Sequence, residues 1–460
     1  MSFYRSSTMR RTWIAILLWV TWFAGTACAK VTLLVEEPFG HFGAFTATGH
    51  AAVYFSSVCA SSPTVLRRCE PGEAGVVISR YNKVGDRDWI AIPLIPYLYA
   101  VDTADDVPLF ADAKVVAFLR NNYRRRYLKD VAPDRPNGEP PEGNWVQLVG
   151  SAYDRAIYGF QIETSEEKDE EFIREFNAGP NSPHFNLLLH NCADFARKVV
   201  DFYYPRAVHR NLVADVGITT PKQLAKSLTK YSKRHPDLEL STFVIPQVPG
   251  VLERSTEVRG VLESVLKSKK YLLPLAIFHP VVTGFAAAAY VEGGRFNPGR
   301  NAMVMDATLE LQPRLTTDQR RVYREELNRL LAENADLKRL QRKRAWASLA
   351  SEPQLDAGGG PVLKIRSGER SVEMGLSRSN LGRSDAPPAL AEELLTARLL
   401  DELHAAAASQ SGVENDWNQL EQVIATAGKT RPACDGRQST CVAGATAGLL
   451  RVSAGTVALR

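Results

Sequence analysis

Two residues in the first half of the chain, Cys192 and His50, have the types and the setting needed for nucleophilic chemistry. Apolar residues follow Cys192 at helical spacing, so the pattern predicts that the thiol opens a helix. A helix N-terminus favours a thiolate, because its free N–H groups and macrodipole stabilise negative charge. His50 begins the strand-like run HAAVYF and would face the thiol across a cleft. We expect the pair to act as nucleophile and general base.

Other histidines lie in the same half of the chain, but their positions suit a base less well. His190 is two residues from the thiol and would have to fold back over the helix start, so it is better placed to orient or tune a neighbour. The remaining candidates are His41, His184 and His209. A plainer interpretation stays open, in which Cys192 is a buried structural thiol and His50 is a hydrogen-bonded core residue.

Strand and helix signals alternate around these two residues. Strands are predicted at residues 31–35, 50–55 and 76–81 and within residues 145–163, and helices at residues 107–131, 164–177 and 192–204. Prolines concentrated in residues 131–144 predict a loop, because proline can continue neither a helix nor a central strand. The apolar residues 187–189 are predicted to be buried.

The first 29 residues have the layout of a secretory signal. Two arginines precede an apolar run over residues 13–24, and small residues follow at Ala27 and Ala29. We therefore expect cleavage after Ala29 and an exported protein of the periplasm or cell envelope. The alternatives are an uncleaved membrane anchor, for which the run is short, and a lipoprotein signal acylated at Cys28.

The net charge argues against a nucleic-acid partner. The whole chain carries +5, and three positive charges, on Arg5, Arg10 and Arg11, lie in the signal without an opposing acid, so the exported chain carries +2. A near-neutral chain lacks the electrostatic footprint of nucleic-acid binding.

The cysteines separate by spacing into Cys28 in the signal, two close pairs, and Cys192 alone. The pairs are Cys59 with Cys69 and Cys434 with Cys441. Pairs suit an oxidising compartment, so we expect disulfides and a single candidate reactive thiol; unrelated free thiols are the alternative. Neither pair has the two-plus-two pattern of a zinc site, and we expect no metal and no cofactor.

The sequence around Cys192 and His50 resembles a known group of enzymes. GHAAVYF and HNCADFARKVV look like the paired motifs of permuted NlpC-type and papain-like hydrolases, in which the histidine strand precedes the cysteine helix. Lecithin retinol acyltransferase-like enzymes share this order and carry an Asn-Cys motif followed by an aromatic residue, which Asn191, Cys192 and Phe195 match. The resemblance covers residues 31–210 and implies an α+β, circularly permuted papain-like domain.

The resemblance also implies a third polar residue that orients the histidine, and no residue matches that part of the pattern clearly. Ser79, Arg80 and Asn82, on or after the next predicted strand, are the nearest candidates. Asn191 and His190 are further candidates for orienting the histidine or stabilising an oxyanion. The cysteine-containing loop between the predicted strands departs from compact members of the family.

We place the papain-like domain at residues 30–215 and expect a mainly helical region over residues 216–312. This region contains the apolar segment 271–291, which is about long enough to span a bilayer. A lysine-rich stretch precedes the segment on the side expected to be exported, which opposes the positive-inside tendency. The segment is therefore predicted either as a membrane span or as a buried helical hairpin.

Residues 313–460 are predicted to be helical and partly disordered. Within them, the leucine-striped helix at residues 316–345 is a packing or coiled-coil element through which copies of the chain would associate. Residues 351–388 have the composition of a linker.

These observations predict a cysteine hydrolase of the cell envelope, an amidase or peptidase that works by Cys-His acyl transfer. Its substrate would be a peptide, an amide or another acyl compound, and peptidoglycan peptides are the amides that an exported compartment offers. One alternative is an N-acyl or lipid-ester acyltransferase, favoured if residues 271–291 associate with a membrane. The other is a non-catalytic envelope scaffold.

Overall fold

The computed structural model describes residues 29–40, 47–313 and 351–380, with gaps at residues 83, 110, 142–143, 184, 249–254 and 368–369. Several predictions lie outside the described residues: the export signal up to Cys28, the helix at 316–345, and the pair Cys434 and Cys441. His41 and His184 lie outside them as well.

Strands and helices both contribute to the described structure, which is α+β as the sequence predicts. Its first ten strands are β1 (Ala29–Glu36), β2 (His50–Phe55), β3 (Val58–Ser62), β4 (Val65–Arg68), β5 (Val76–Ser79), β6 (Ile90–Pro93), β7 (Ile157–Thr164), β8 (Ser241–Ile245), β9 (Met303–Met305) and β10 (Leu311–Gln312). Within the described ranges, eight of them form one sheet in the order β10-β9-β8-β7-β1-β2-β5-β6. The pairs are antiparallel except β8 with β9, which is parallel.

Helices lie between and after these strands. They are α1 (Leu94–Tyr99), α2 (Ala113–Tyr127), α3 (Ser151–Asp154), α4 (Glu166–Ala178), α5 (Cys192–Tyr203), α6 (Pro221–Ser232), α7 (Val261–Lys267), α8 (Lys269–Phe278) and α9 (Pro280–Ala289). A further sheet follows in the order β11 (Ser351–Leu355), β12 (Pro361–Ser367) and β13 (Arg370–Gly375).

Strand β1 is buried on both faces, which explains why its sequence is an almost continuous apolar run. Val31, Leu33 and Val35 belong to a core shared with the helices α4, α5 and α6. Leu34 belongs to a second core on the other face, shared with α1, α2 and the sheet β11–β13. The sheet therefore separates two apolar layers, and β1 and β2 lie at its middle.

The sheet continues past residue 215, the predicted end of the papain-like domain. Strand β8 pairs with β7, and β9 pairs with β8. The prediction of a linker over residues 351–388 is wrong for residues 351–375, which form β11–β13. Leu363 and Ile365 of β12 are buried in the second core, whereas Lys364 between them is only partly buried, which fits the alternation of side chains along a strand.

Residues 187–189 are exposed, which corrects the prediction that they are buried. Leu187, Leu188 and Leu189 are 51%, 54% and 53% exposed. Asn186 and His190 exchange backbone hydrogen bonds of 3.1 and 3.0 Å, and this closes a tight loop that carries the leucines at its tip. An apolar triplet next to a helix predicts burial, but the turn before α5 directs it outward.

The apolar segment 271–291 folds as two helices, α8 and α9, joined at His279. The prediction of a buried helical hairpin is wrong in one respect, because the hairpin is exposed: Phe278 and Val281 are 74% and 85% exposed. Among the described residues, no helix combines the length and the apolar character that a membrane crossing requires.

A disulfide joins Cys59 and Cys69, which confirms the pairing expected for these two residues. It closes the hairpin β3–β4, which the chain inserts between β2 and β5. Asn177 of α4 binds this hairpin through both the N–H and the C=O of Leu66, at 2.9 and 2.8 Å. The inserted hairpin is therefore held against α4, on the face of the sheet that also carries α5 and α6.

Gly49 is required by the close approach of β1 and β2 just before His50. Its φ is +72°, and a Cβ atom there would lie 2.0 Å from the Glu36 carbonyl oxygen. We expect Gly49→Ala to lower the free energy of unfolding by at least about 3 kcal/mol, because strain and clash add. Gly72, with φ +91° and open space around it, is the matched control, and Gly72→Ala should cost about 1 kcal/mol. Urea unfolding of both variants checks this; equal losses would contradict it.

Candidate active site

The helix that carries Cys192 begins with a capping box. Asn191 Oδ1 accepts from the Asp194 N–H at 3.0 Å, and Asp194 Oδ2 accepts from the Asn191 N–H at 3.3 Å. Arg210 holds the same carboxylate at 2.6 Å. Side chains thus fix the start of α5, and Cys192 is its first residue. The prediction that this thiol opens a helix is confirmed.

The thiol of Cys192 and the ring of His50 are joined by a hydrogen bond. Helix α5 packs on β2, and His50 is the first residue of that strand. The ladder between β2 and β5 ends at the Val53–Ile78 pair, which leaves the backbone of Ala51 available to side chains. The Ala51 N–H donates to Cys192 Sγ. Cys192 is partly exposed as a residue and packs against the core that α4, α5 and α6 share.

Ser79, the last residue of β5, fixes the tautomer of His50. Ser79 Oγ donates to the Ala51 carbonyl oxygen at 2.8 Å, since a carbonyl can only accept. The same Oγ lies 2.8 Å from His50 Nε2 and has no second proton, so Nε2–H is the donor of that bond. In a neutral ring this leaves Nδ1 without a proton and available to the thiol. Ser79 is therefore a positioning residue for the base.

The electrostatics of the pair favour separated charges. Burial raises the pKa of Cys192, but the charge and hydrogen bond of His50 and the Ala51 N–H lower it more, so the pKa lies below its ordinary value. Burial lowers the pKa of His50, but the charge and hydrogen bond of Cys192, with Glu36, outweigh it and raise the pKa. A lowered thiol pKa beside a raised imidazole pKa favours transfer of the Cys192 proton to His50, which forms a thiolate–imidazolium ion pair.

A buried charge cluster near the pair was not predicted from the sequence. Glu36, which is 0% exposed, pairs in register with His50. Its carboxylate binds Arg155 at 3.1 Å and Ser151 Oγ at 2.9 Å, and it also accepts from the Tyr97 hydroxyl. Glu36 raises the pKa of His50 and Arg155 lowers it. The two acids at the end of an apolar strand, Glu36 and Glu37, were the available signal, since a buried carboxylate needs partners.

The other predicted site residues have different surroundings. Asn191 Nδ2 donates at 3.1 Å to the carbonyls of Leu187 and Thr219, so both of its amide hydrogens are used by backbone. His190 is exposed, and so is Asn82. Arg80 binds Asp88 at 2.6 Å. Of the candidates for orienting His50, Ser79 is the one that the structure brings into contact with it.

Comparisons with known proteins do not identify the chemistry of this site. No family model, curated protein or solved structure matches this chain. Within the described part of the chain, Cys59, Cys69 and Glu73 form the one group with metal-ligand geometry, and two of its members are already joined as a disulfide. The chemistry therefore has to be argued from Cys192, His50 and Ser79.

The pKa shifts predict an unusual pH profile for alkylation of Cys192. Because the thiol pKa is lowered, we expect the reaction with iodoacetamide to become rapid at a lower pH than it does for an ordinary free thiol. His50→Ala removes the opposing charge, so its profile should move up towards that of a free thiol. The rate is measured by mass spectrometry on the peptide that contains Cys192. Identical profiles for the two proteins would refute the ion pair.

Replacement of Ser79 tests its role as a positioning residue. Ser79→Ala removes the acceptor for His50 Nε2–H, so we expect the Cys192 profile to move up by roughly one pH unit, or about tenfold less thiolate at low pH. Ser227→Ala is the matched control, because Ser227 is a buried serine in α6 that bonds to Gln223. It should cost stability without moving the profile. Equal shifts in both variants would show a general structural effect instead.

Proposed function

We propose that this chain is an exported cysteine enzyme of the permuted papain-like kind that transfers acyl groups through Cys192. The observation that carries the proposal is the chain of contacts from the Cys192 thiol to His50 and from His50 Nε2–H to Ser79. A nucleophile, a base and a group that orients the base are the parts that covalent acyl transfer requires.

The order of the elements supports the resemblance given above. The strand of His50 precedes the helix of Cys192, and β5 with Ser79 lies beside β2 in the antiparallel sheet. Its contact with His50 makes Ser79 our candidate for the third polar residue, which the sequence pattern left without a clear match. The hairpin β3–β4, with its disulfide, is an insertion relative to compact members of the family.

The reaction follows from the placement of these groups. The Cys192 thiolate attacks the carbonyl carbon of the acyl substrate while His50 holds the proton. The backbone N–H of Cys192, in the first turn of α5, has no intrahelical acceptor and can donate to the oxyanion. His50 then gives its proton to the leaving amine or alcohol, and a thioester remains. Water, deprotonated by His50, attacks the thioester, releases the acid and regenerates the thiol.

A peptide or other amide is the first candidate substrate, by the argument from the exported compartment. A lipid-derived acyl group is the second candidate, and a specific observation favours it. The exposed leucines 187–189 lie on the loop that leads directly into Cys192, where they offer apolar surface to an acyl chain. Exposed apolar surface beside a reactive group is more useful to a fatty acyl substrate than to a polar peptide.

The acyl-enzyme provides the direct test of this function. We expect incubation with p-nitrophenyl acetate and with p-nitrophenyl decanoate to release p-nitrophenol and to leave the acyl mass on the peptide that contains Cys192. Cys192→Ser should lose both signals. His209→Ala is the control, because His209 is exposed.

The relative rates of reaction with the two esters and with amides of peptidoglycan peptides distinguish the two substrate classes. Leu188→Ser should lower the rate with decanoate more than the rate with acetate if the leucines hold the acyl chain. A Cys192 that stays unacylated, together with an ordinary alkylation profile, would contradict the enzyme and favour a scaffold.

A further inference from the structure

The helix pair α8–α9 carries an apolar surface that the described structure leaves uncovered. From Tyr271 to Val291 the chain has no Asp, Glu, Lys or Arg. Exposure increases towards the turn between the helices, where Ile277, Phe278 and Val281 are 70%, 74% and 85% exposed. Ala286, nearer the other end of α9, is only 5% exposed. The pair therefore projects from the molecule with its most apolar part outermost.

The base of the pair is anchored. Helix α9 packs back on α7, the helix that precedes α8. Tyr290, directly after α9, donates its hydroxyl to Glu263 of α7 at 3.0 Å. Glu263 in turn binds Lys222 of α6 at 2.6 Å, and both charged side chains are buried. The contacts of Glu263 with Tyr290 and Lys222 therefore hold the base of the helix pair in place, and the turn extends from this base.

The length of the two helices matches one leaflet of a bilayer. Each helix has 10 residues. At about 1.5 Å per residue, each is about 15 Å long. This is half of the roughly 30 Å hydrocarbon core of a membrane. At the turn, the His279 N–H donates to the Leu275 carbonyl at 2.8 Å and the Thr283 N–H donates to the His279 carbonyl at 3.0 Å, so these backbone groups have the internal partners that lipid requires.

Basic residues lie at the base of the pair, at the level that lipid headgroups would occupy. Lys267, Lys269 and Lys270 are exposed, and the latter two form the first residues of α8. Lys267 binds Glu263 at 2.8 Å, so Lys269 and Lys270 carry the charge most directly available to a partner. An apolar projection with cations at its base is complementary to a surface with an apolar interior and anionic headgroups.

We propose that the α8–α9 pair inserts into one leaflet of a bilayer that contains anionic lipid, with Phe278 and Val281 deepest and Lys269 and Lys270 among the headgroups. This inference goes beyond the proposed function and does not depend on it. The base of the pair is nevertheless connected to the site. Lys222 follows Thr219 and Thr220 closely, and the Thr219 carbonyl accepts from Asn191, the neighbour of Cys192. Insertion would hold the nucleophile near the membrane surface.

Hydrogen exchange of the full chain tests insertion locally, apart from any effect of the apolar N-terminal run. We expect amides of residues 271–291 to exchange roughly tenfold more slowly with vesicles of phosphatidylcholine and phosphatidylglycerol than in buffer. Phosphatidylcholine vesicles alone should protect them less. The double variant Phe278→Asp/Val281→Asp should lose the protection. Lys269→Glu/Lys270→Glu should lose the difference between the two lipid compositions.

Val65→Asp is the matched control, because Val65 is an exposed valine on the distant hairpin strand β4, 45% exposed. It should keep the protection of residues 271–291. Unchanged exchange in both vesicle types would overturn the proposal. Protection that appears without lipid and increases with protein concentration would overturn it too, and would assign the surface to contacts between copies of this chain.

Discussion

The pairing of β1 with β2 is the constraint on which the candidate site depends. It brings Glu36 opposite His50 and requires a glycine at position 49, because the two backbones approach there too closely for a Cβ atom. Beyond the last rung of the β2–β5 ladder, the backbone of Ala51 is directed at Cys192 and Ser79. One strand end thus supplies the base, a donor to the sulfur and the acceptor that sets the orientation of the serine hydroxyl.

Sequence patterns predicted the parts of the site that depend on local structure. Helical periodicity after Cys192 and the strand-like run from His50 are properties of neighbouring residues, and they predicted the positions of both side chains. Ser79 was one of the three nearest candidates, and nothing local distinguished it from Arg80 or Asn82. The choice depends on the register of β5 against β2, which is set by long-range pairing.

The features that the sequence did not predict arise from tertiary contacts. Glu36 and Arg155 are far apart in the chain, and only the folded sheet shows that they neutralise each other beside the site. The strands at residues 351–375 were missed because a composition rich in Gly, Ser and Arg obscured the apolar positions Leu363 and Ile365, which flank Lys364 in β12. The exposed leucines 187–189 show the opposite failure, since apolar character predicted burial where a tight turn prevented it.

The sheet β11–β13 has a consequence for the order in which the chain can fold. Leu363, Ile365 and Leu376 complete the core that also contains Leu34 and Leu98, and the Leu109 N–H donates to the Leu376 carbonyl. These contacts join residues more than two hundred positions apart, so this apolar layer closes only after most of the chain has been synthesised. Until residues 351–376 have been synthesised, this layer lacks part of its apolar contacts, whereas the buried residues of the layer on the other face of the sheet all lie within residues 31–258. The two apolar layers that enclose the sheet can therefore form at different times during synthesis.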